Sequence, residues 1–240
     1  QVAAIQTSDL VQMSTQQIQA MNTDGVSALT TEQVTNLSTN QIAAFSTAQI
    51  QAFSTDTMVA LSSDQLTQLD AAQVGALSAT QVRAIQTVDL AAMSTDQVQA
   101  LSTAAIANLS ASQVSHLNSD QVASLTTEQI KAMTPGQITD LTAAQIGRLT
   151  SEHVGVMTTA QVAAIDSGDV ASLKLEATAA LSVDQLKALS TDQLSAMTNS
   201  QVRQLSTQQI DALTTSQVAH MTTDQVSALT AVQVGALGTA

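Results

Sequence analysis

Three histidines are the first residues to consider for chemistry, because imidazole binds metals and transfers protons near neutral pH. His116, His153 and His220 lie far apart in the sequence and in unrelated local contexts, so we expect surface substitutions and no shared metal site. Ser and Thr are abundant, but no histidine–acid partner recurs at a fixed spacing and no glycine-rich phosphate loop is present. The sequence therefore predicts no catalytic, cofactor-binding or metal site, no cofactor and no enzymatic activity.

Two segments depart from the surrounding pattern. The stretch "DSGD" at 166–169 has two carboxylates but lacks the run of carboxylates of an EF-hand loop, so helix capping accounts for it better than calcium binding. The stretch "LKLEATAA" at 173–180 places Lys174 and Thr178 where other residue types recur. It could be a bend, a docking site or a partner-facing patch, or it could be drift in a redundant array.

Composition excludes several classes of function. The net charge is −13 with only six Lys and Arg, so nucleic acid is not an expected partner. There is no Cys, which excludes disulfides and thiolate sites, and no apolar run approaches the roughly 20 residues that span a membrane. An acidic, Cys-free, Thr-rich chain of this kind is expected outside the cell or at its surface.

The elements that carry these residues repeat with a period of eight. From Ile5 onward, every eighth residue is a large hydrophobe; we call this position a and the octad a to h. Position b is Ser, Thr, Asn or Asp at 26 of 30 sites, e is Gln at 22 of 30, and h is Ala at 18 of 30. Position f is aliphatic or Met except at Thr178. The consensus is L-[S/T]-T-x-Q-[V/I]-x-A.

A slower period overlies the octads. Ile occupies a only at Ile5, Ile85 and Ile165, which are separated by equal intervals of ten octads. The chain is therefore predicted to be one continuous array, 1–240, of three super-repeats, 1–80, 81–160 and 161–240. A recent block duplication and a structural super-period explain this equally well. Because Gln1 falls inside an octad, the chain is expected to be a fragment of a longer one.

The octad predicts one short helix per repeat. In a single long helix, each octad would rotate the apolar stripe by about 80°, so no face would stay buried. In a strand, a and f would point to opposite faces, and an octad is short for a coil of a β-solenoid, which remains the alternative. In contrast, b and e form the S/T-x-x-Q capping box, with a and f as its hydrophobic staple.

Helices this short need their neighbours, so the predicted fold is an all-α solenoid. Its core should contain a, f and Ala at h, with c, d and g outside. Position h also holds His116, Arg148 and His220, which implies that it is only half-buried. Of 19 Asp and Glu, 17 lie at b, d or e, as expected in a first helical turn. The only proline, Pro135, falls at c, the first helical position, where proline is tolerated.

The octad resembles repeat arrays that fill long stretches of large secreted or surface proteins of Gram-negative bacteria, described as adhesin-like or haem-utilisation-like. The likeness covers the whole chain, as in "LSTDQLSAM" (189–197) and "MTTDQVSAL" (221–229). It implies an extracellular structural or adhesive role and transfers no site residue.

Two functions follow as expectations. The first is an extracellular rod, stalk or self-assembling filament, because both ends keep the consensus where solenoids usually carry polar caps. Self-association, end to end or lateral, is the expected partnership. The alternative is a surface adhesin or binding module that uses the outer face to contact a cell-surface protein or glycan.

Overall fold

The computed structural model describes residues 2–238, and within that range the chain is helical and contains no strand. Two compact units are formed, unit 1 from Gln1–Leu125 and unit 2 from Thr126–Ala240. The described residues form 28 short α-helices and two 3-10 turns. The prediction of an all-α solenoid of short helices is confirmed, and the β-solenoid alternative is not supported. The three super-repeats stay a prediction.

Unit 1 begins with a 3-10 turn, Val2–Ala4, and continues with fifteen α-helices. These are α1 Thr7–Leu10, α2 Thr15–Gln19, α3 Thr23–Ser27, α4 Thr31–Asn36, α5 Thr39–Ala43, α6 Thr47–Gln51, α7 Thr55–Ala60, α8 Ser63–Leu66, α9 Ala71–Gly75, α10 Ala79–Ala84, α11 Thr87–Ala92, α12 Thr95–Ala100, α13 Thr103–Ala107, α14 Ala111–His116 and α15 Ser119–Ser124.

Unit 2 contains thirteen α-helices and one 3-10 turn, Val170–Ser172, between α20 and α21. The helices are α16 Thr127–Ala132, α17 Pro135–Thr139, α18 Ala143–Ile146, α19 Ser151–Val156, α20 Thr159–Ala163, α21 Leu175–Ala179, α22 Val183–Ala188, α23 Thr191–Ala196, α24 Asn199–Gln204, α25 Thr207–Asp211, α26 Thr215–Ala219, α27 Thr223–Ala228 and α28 Ala231–Ala236.

Capping boxes define where the helices begin. In α10, the extended N-cap Ser78 accepts a hydrogen bond from the Gln81 amide (3.2 Å), while the Ser78 amide donates to Gln81 Oε1 (2.8 Å). Ten such boxes occur in unit 1. Unit 2 has twelve. The predicted helix start at b is therefore confirmed, and each cap contributes about 1 kcal/mol.

Pro135 is the first residue of α17, directly after the capping Thr134. The Gln137 amide donates to Thr134 Oγ1 at 3.2 Å, so the box is intact around the proline. Proline is tolerated at this position because the amide it lacks has no partner inside a helix. The position predicted from the octad is confirmed.

Within each unit, a helix packs on the helix three octads away. In unit 1, α7 contacts both α4 and α10, and in unit 2, α16 contacts α19 and α21 contacts α24. Backbones meet closely at these contacts: a Cβ placed on Gly75, at position g, would lie 3.2 Å from the carbonyl oxygen of Ala100, at position h of the third octad onward. One turn of each solenoid is therefore slightly longer than three octads.

The core is built from a, f and e. The prediction for a and f is confirmed, e was not assigned to the core, and h is at most half-buried, as its polar residues indicated. Interior f residues such as Val98 and Val202 are fully buried, and a residues such as Leu101 and Leu205 are almost so. Position e is equally buried, although it is mostly Gln. Alanines at h are half-buried or exposed. Position h lies at the outer edge of the contact between turns, where its carbonyl meets position g of the earlier turn.

The irregular octads have the local defects that their residues predict. In α21, Lys174 makes no side-chain capping bond, and Thr178 stands fully buried at an f position. In the octad before, Asp166 Oδ1 accepts from the Gly168 amide (2.8 Å), which is one position closer than the amide that closes a capping box. This tight turn replaces a capping box, which is why only a 3-10 turn follows.

Replacing Thr178 with Val should stabilise unit 2 by roughly 0.5–1 kcal/mol, since it exchanges a buried hydroxyl for a methyl group. The hydroxyl now donates only to the Lys174 carbonyl (3.0 Å), within its own helix. The matched control is Thr207→Val, because Thr207 is exposed at the start of α25. Urea denaturation should show a higher midpoint for Thr178→Val alone. Equal midpoints would mean that the buried hydroxyl carries no penalty.

Candidate functional site

The most regular polar feature of both units is a buried row of glutamines at e, which we call the glutamine ladder. Gln121 shows its geometry. Its Oε1 accepts from the Asn118 amide (2.8 Å), and its Nε2 donates to the carbonyls of Leu90 (3.0 Å) and Met93 (2.8 Å) in the preceding turn. Gln121 is fully buried. The same side chain thus starts its own helix and joins it to the turn before.

The donor bonds repeat with constant spacing. Each ladder Gln reaches the carbonyl of an a residue in the turn before, over 2.6–2.9 Å, and most also reach the carbonyl of the f residue three positions before that a residue. In unit 1 the donors are Gln33, Gln41, Gln49, Gln65, Gln73, Gln81, Gln97, Gln113 and Gln121. In unit 2 the pattern is made by Gln161, Gln185, Gln193, Gln201, Gln209, Gln217, Gln225 and Gln233.

The ladder supplies hydrogen-bond donors to carbonyls that very short helices leave without a partner. A helix leaves about four carbonyls at its C-terminus without an intrahelical partner, and the fold has a helix end in almost every octad. A primary amide has one acceptor oxygen and two N–H donors, so a single Gln can satisfy a cap amide and the carbonyl of the a residue. Its second N–H adds a bond to the f carbonyl, which already accepts from the backbone amide of the a residue. A buried carbonyl without a partner costs about 1–3 kcal/mol, so this side chain holds successive turns together.

Sequence reasoning identified e as half of a capping box and missed its donor role. The residue types found at position e contained a signal of this donor role. A capping box accepts Glu as readily as Gln, and Glu near a helix start is favoured by the helix dipole. The chain has Glu only at d, namely Glu32, Glu128, Glu152 and Glu176, and none at e. A need for N–H donors at e explains why Gln predominates there and Glu does not occur.

One octad makes the ladder bond from a different position. In α11, position e is the buried Asp89, whose side chain has no N–H group to donate and accepts from the hydroxyl of Ser63. Position b is Gln86, which makes no capping bond, and its Nε2 donates to the Val59 carbonyl (3.0 Å). The amide donor has moved from e to b, and the turn before receives one bond at a g carbonyl in place of the bonds to its f and a carbonyls.

Other octads lack the donor. Ala105 and Ala177 are buried at e, and neither can offer a side-chain amide to the carbonyls of the turn before. Thr57, also at e, makes its side-chain bond with the capping Ser54 instead (2.9 Å). These positions are gaps in an otherwise periodic hydrogen-bond network.

Asp169 also occupies position e without offering an amide donor, and its side chain is a carboxyl group. It is half-buried at e, in the same octad as Asp166. Partial burial and the neighbouring Asp166 carboxylate raise the pKa of Asp169 above its ordinary value of 3.8. Asp169 therefore opposes folding when it is ionised, and the opposition is relieved as the pH falls through its raised pKa.

Asp169→Asn should therefore stabilise unit 2 at neutral pH, and the gain should disappear as the pH is lowered through the pKa of Asp169. The effect should be small, because the carboxylate is partly solvated. Asp192→Asn is the control with the opposite sign, since Asp192 lies in the first turn of α23, where a carboxylate is favoured. Denaturation midpoints measured from mildly acidic to neutral pH check both. A gain that persists at low pH would contradict the assignment.

The histidines occupy separate structural positions. His116 and His220 are exposed at h, and each Nδ1 lies against a carbonyl of its own helix, that of Ser112 (2.8 Å) and that of Ser216 (2.7 Å). His153 was expected at the surface but is buried at e, where Nδ1 receives the Thr150 amide (3.4 Å). Among residues 2–238, no three His, Asp or Glu side chains are grouped to hold a metal ion. No helix in that range is long and apolar enough to cross a membrane.

Comparison with known families gives a match across most of the chain. The family described as "ALTTAQ repeat" matches residues 2–39, 36–71, 66–103, 82–118, 90–127, 162–199 and 194–223. Its six letters correspond to positions h to e, as in "ALTTSQ" at 212–217, and so include both halves of the capping box. No curated protein matches the chain.

Proposed function

The chain belongs to the ALTTAQ repeat family, and we propose that this structural repeat protein serves as a stalk, spacer or filament segment outside the cell. The observation that carries the proposal is the glutamine ladder. The most frequent polar side chain of the core is committed to joining turns, which is the task of a scaffold. Groups that bind a partner would have to lie at the outer positions c, d and g, whose side chains take no part in that network.

Three further features support an extracellular spacer. The absence of Cys makes the fold independent of the redox state of its surroundings. The net charge of −13 favours solubility at a crowded surface. The octads also resemble the arrays of large adhesin-like surface proteins, which supports the same location.

The outer surface favours a spacer over an adhesin. Four exposed large hydrophobes lie at the outer positions c, d and g, namely Val59 at g, Val88 and Val232 at d, and Leu175 at c. The two that share position d lie in different units, so the four residues form no repeated stripe. A dedicated adhesive surface would concentrate such residues in one place.

A reach assay tests the proposal. The chain is anchored at one end to a polymer-coated bead and tagged at the other, and antibody access is measured as octads are removed. If the chain is a spacer, antibody access to the tag decreases as octads are removed. The outer substitutions Thr95→Ser and Asp96→Asn leave this access unchanged. Binding of the chain to cells is measured with the same variants. If the outer substitutions change this binding and the number of octads does not, the adhesin is favoured and the spacer is rejected. Antibody labelling of intact source cells tests the location.

A further inference from the structure

Two neighbouring octads of unit 2, together residues 165–180, both lack the ladder donor. Position e is Asp169 in the first and Ala177 in the second, and neither side chain has an N–H group. The octads before and after them keep their donors, since Gln161 and Gln185 each bind the carbonyl of an a residue over 2.7 Å. We call these two octads the double gap, because they interrupt the ladder between two intact parts.

The double gap differs from the gaps in unit 1. Thr57, Asp89 and Ala105 each have an octad with a ladder donor directly before and directly after them. Two of these octads still have a capped helix start, and the third donates from Gln86 instead. A single gap is thus bridged by bonds on both sides, whereas the e side chains of the double gap are missing next to each other.

The double gap leaves one contact between turns without glutamine bonds. By the spacing of the ladder, its two e positions would reach the carbonyls of Leu141 and Leu149, and neither carbonyl receives a glutamine amide among residues 2–238. The two turns still pack, since α19 contacts α21 and a Cβ placed on Gly147 would lie 3.2 Å from the Ser172 carbonyl oxygen. Because one turn is only slightly longer than three octads, two missing donors remove most of the glutamine bonds that one turn can make to the turn before.

The other side of the double gap is held in the usual way. Gln193 donates to the Ile165 carbonyl (2.6 Å), and Gln201 donates to the Leu173 carbonyl (2.8 Å). Residues 165–180 are therefore joined by ladder bonds to the turn after them and not to the turn before them.

The helices of the double gap have little stability of their own. The 3-10 turn Val170–Ser172 and α21 both start without a side-chain capping bond. Thr178, the f residue of α21, is polar and fully buried. Helices this short form only where neighbours hold them, and these two lack the ladder bonds on one side.

We propose that the double gap is a yielding joint: it separates from the preceding turn, and α21 loses its helical form, before the neighbouring octads that carry ladder donors open. Stability varies along a structure, and segments with few bonds to their surroundings open first. Ladder bonds join successive turns and so resist a pull along the solenoid, which means that a stretched chain lengthens first at the joint. This is a property of the fold and holds whether or not the chain is a spacer.

Limited digestion with trypsin locates the joint, because trypsin cuts after Lys and Arg and the chain has only six of these residues. Lys174 lies in the joint, whereas Lys187 lies in α22, where Gln185 makes its ladder bonds. A folded protein is cut at a rate that follows the population of the locally open form when opening and closing are fast. After correction for the cutting rates of short peptides that contain each site, the full chain should be cut after Lys174 at least about tenfold faster than after Lys187.

Restoring the donors should close the joint. Asp169→Gln and Ala177→Gln each return one amide donor to the two open carbonyls of the preceding turn. Together they should slow cutting after Lys174 by at least about tenfold and leave cutting in α22 unchanged. Glu176→Gln is the matched control, since it adds an amide one residue away, at an exposed position of α21 that lies outside the ladder. The control should be cut as wild type is, after the same correction with peptides.

Amide hydrogen exchange measures the same opening without a protease. The Thr178 and Leu186 amides, at f in α21 and α22, each donate to the carbonyl of their b residue over 2.9 Å, so the two bonds are equivalent in the closed state. After correction for intrinsic rates, the Thr178 amide should exchange at least about tenfold faster than the Leu186 amide in wild type. In the chain with both donors restored, the two rates should become similar.

The joint is rejected if wild type is cut as fast after Lys187 as after Lys174, or if the Thr178 amide exchanges no faster than the Leu186 amide. It is also rejected if the chain with both donors restored is cut and exchanges as wild type does, since missing donors would then not be the cause. The first two measurements use the wild-type chain, so they decide the question even if a substituted chain fails to fold.

Discussion

Replacing Gln121 with Glu should destabilise unit 1 by about 3–5 kcal/mol at pH 7, although Gln and Glu differ by one amide group. Both side chains satisfy the capping box through an oxygen, so the cap on Asn118 is retained. What is lost is the Nε2 donor to the Leu90 and Met93 carbonyls, at 3.0 and 2.8 Å. A carboxylate oxygen facing two carbonyl oxygens in a fully buried site has no favourable partner.

The destabilisation should depend on pH with a defined sign. Burial and the facing carbonyls raise the pKa of the introduced carboxyl in the folded state above its unfolded value of about 4.3. The penalty therefore grows as the pH rises from about 4.3 toward that raised pKa, and it is lost as the pH falls below about 4.3. A protonated carboxyl can donate one hydrogen bond, so part of the ladder contact returns in acid.

The matched control is Gln16→Glu, the same chemical change at an exposed d position of α2. It should leave stability nearly unchanged, because a carboxylate is tolerated in a first helical turn. Urea denaturation from mildly acidic to neutral pH, with amide exchange of α11, α12 and α15, measures both variants. If Gln121→Glu is as stable as Gln16→Glu at pH 7, the donor bonds do not hold the turns together and the ladder has no structural role.

The sequence predicted the helix starts because the capping box is local. Ser or Thr at b and Gln at e satisfy each other within half an octad, and Pro135 at the first helical position agrees with them. The defect at Lys174 and Thr178 was visible for the same reason. These features need no knowledge of which turns meet.

The second role of Gln could not be derived from local spacing, because it joins positions that lie more than three octads apart, as Gln121 and Met93 do. That separation follows from the length of one solenoid turn, which is set by packing between helices and has no counterpart in the octad itself. For the same reason, Ala at h was assigned to the core and Gln at e was assigned only its role in the cap. Within the octad, the absence of Glu from e was the feature that indicated the hydrogen bond between turns.

Restoring the ladder at a gap should raise stability, and Ala105→Gln in α13 should add about 1–2 kcal/mol to unit 1. Ala105 is fully buried and its amide already donates to the capping Ser102 hydroxyl (3.1 Å). A Gln there could accept from the Ser102 amide and donate to the carbonyls of Val74 and Leu77, which occupy the matching f and a positions of the turn before. Ordering a Gln side chain costs up to about 2 kcal/mol, which is why the net gain is smaller than the sum of the new bonds.

Ala105→Glu separates the two roles of the restored side chain. Glu can complete the capping box but cannot donate to the Val74 and Leu77 carbonyls, so it should destabilise at pH 7 where Gln stabilises. Ala72→Gln, at an exposed d position of α9, controls for the small difference in helix propensity. Denaturation midpoints should rank Gln above Ala and Ala above Glu at position 105. If Gln and Glu there prove equally stabilising, capping alone would explain the glutamines at e, and the contact between turns would have to come from the apolar residues at a and f.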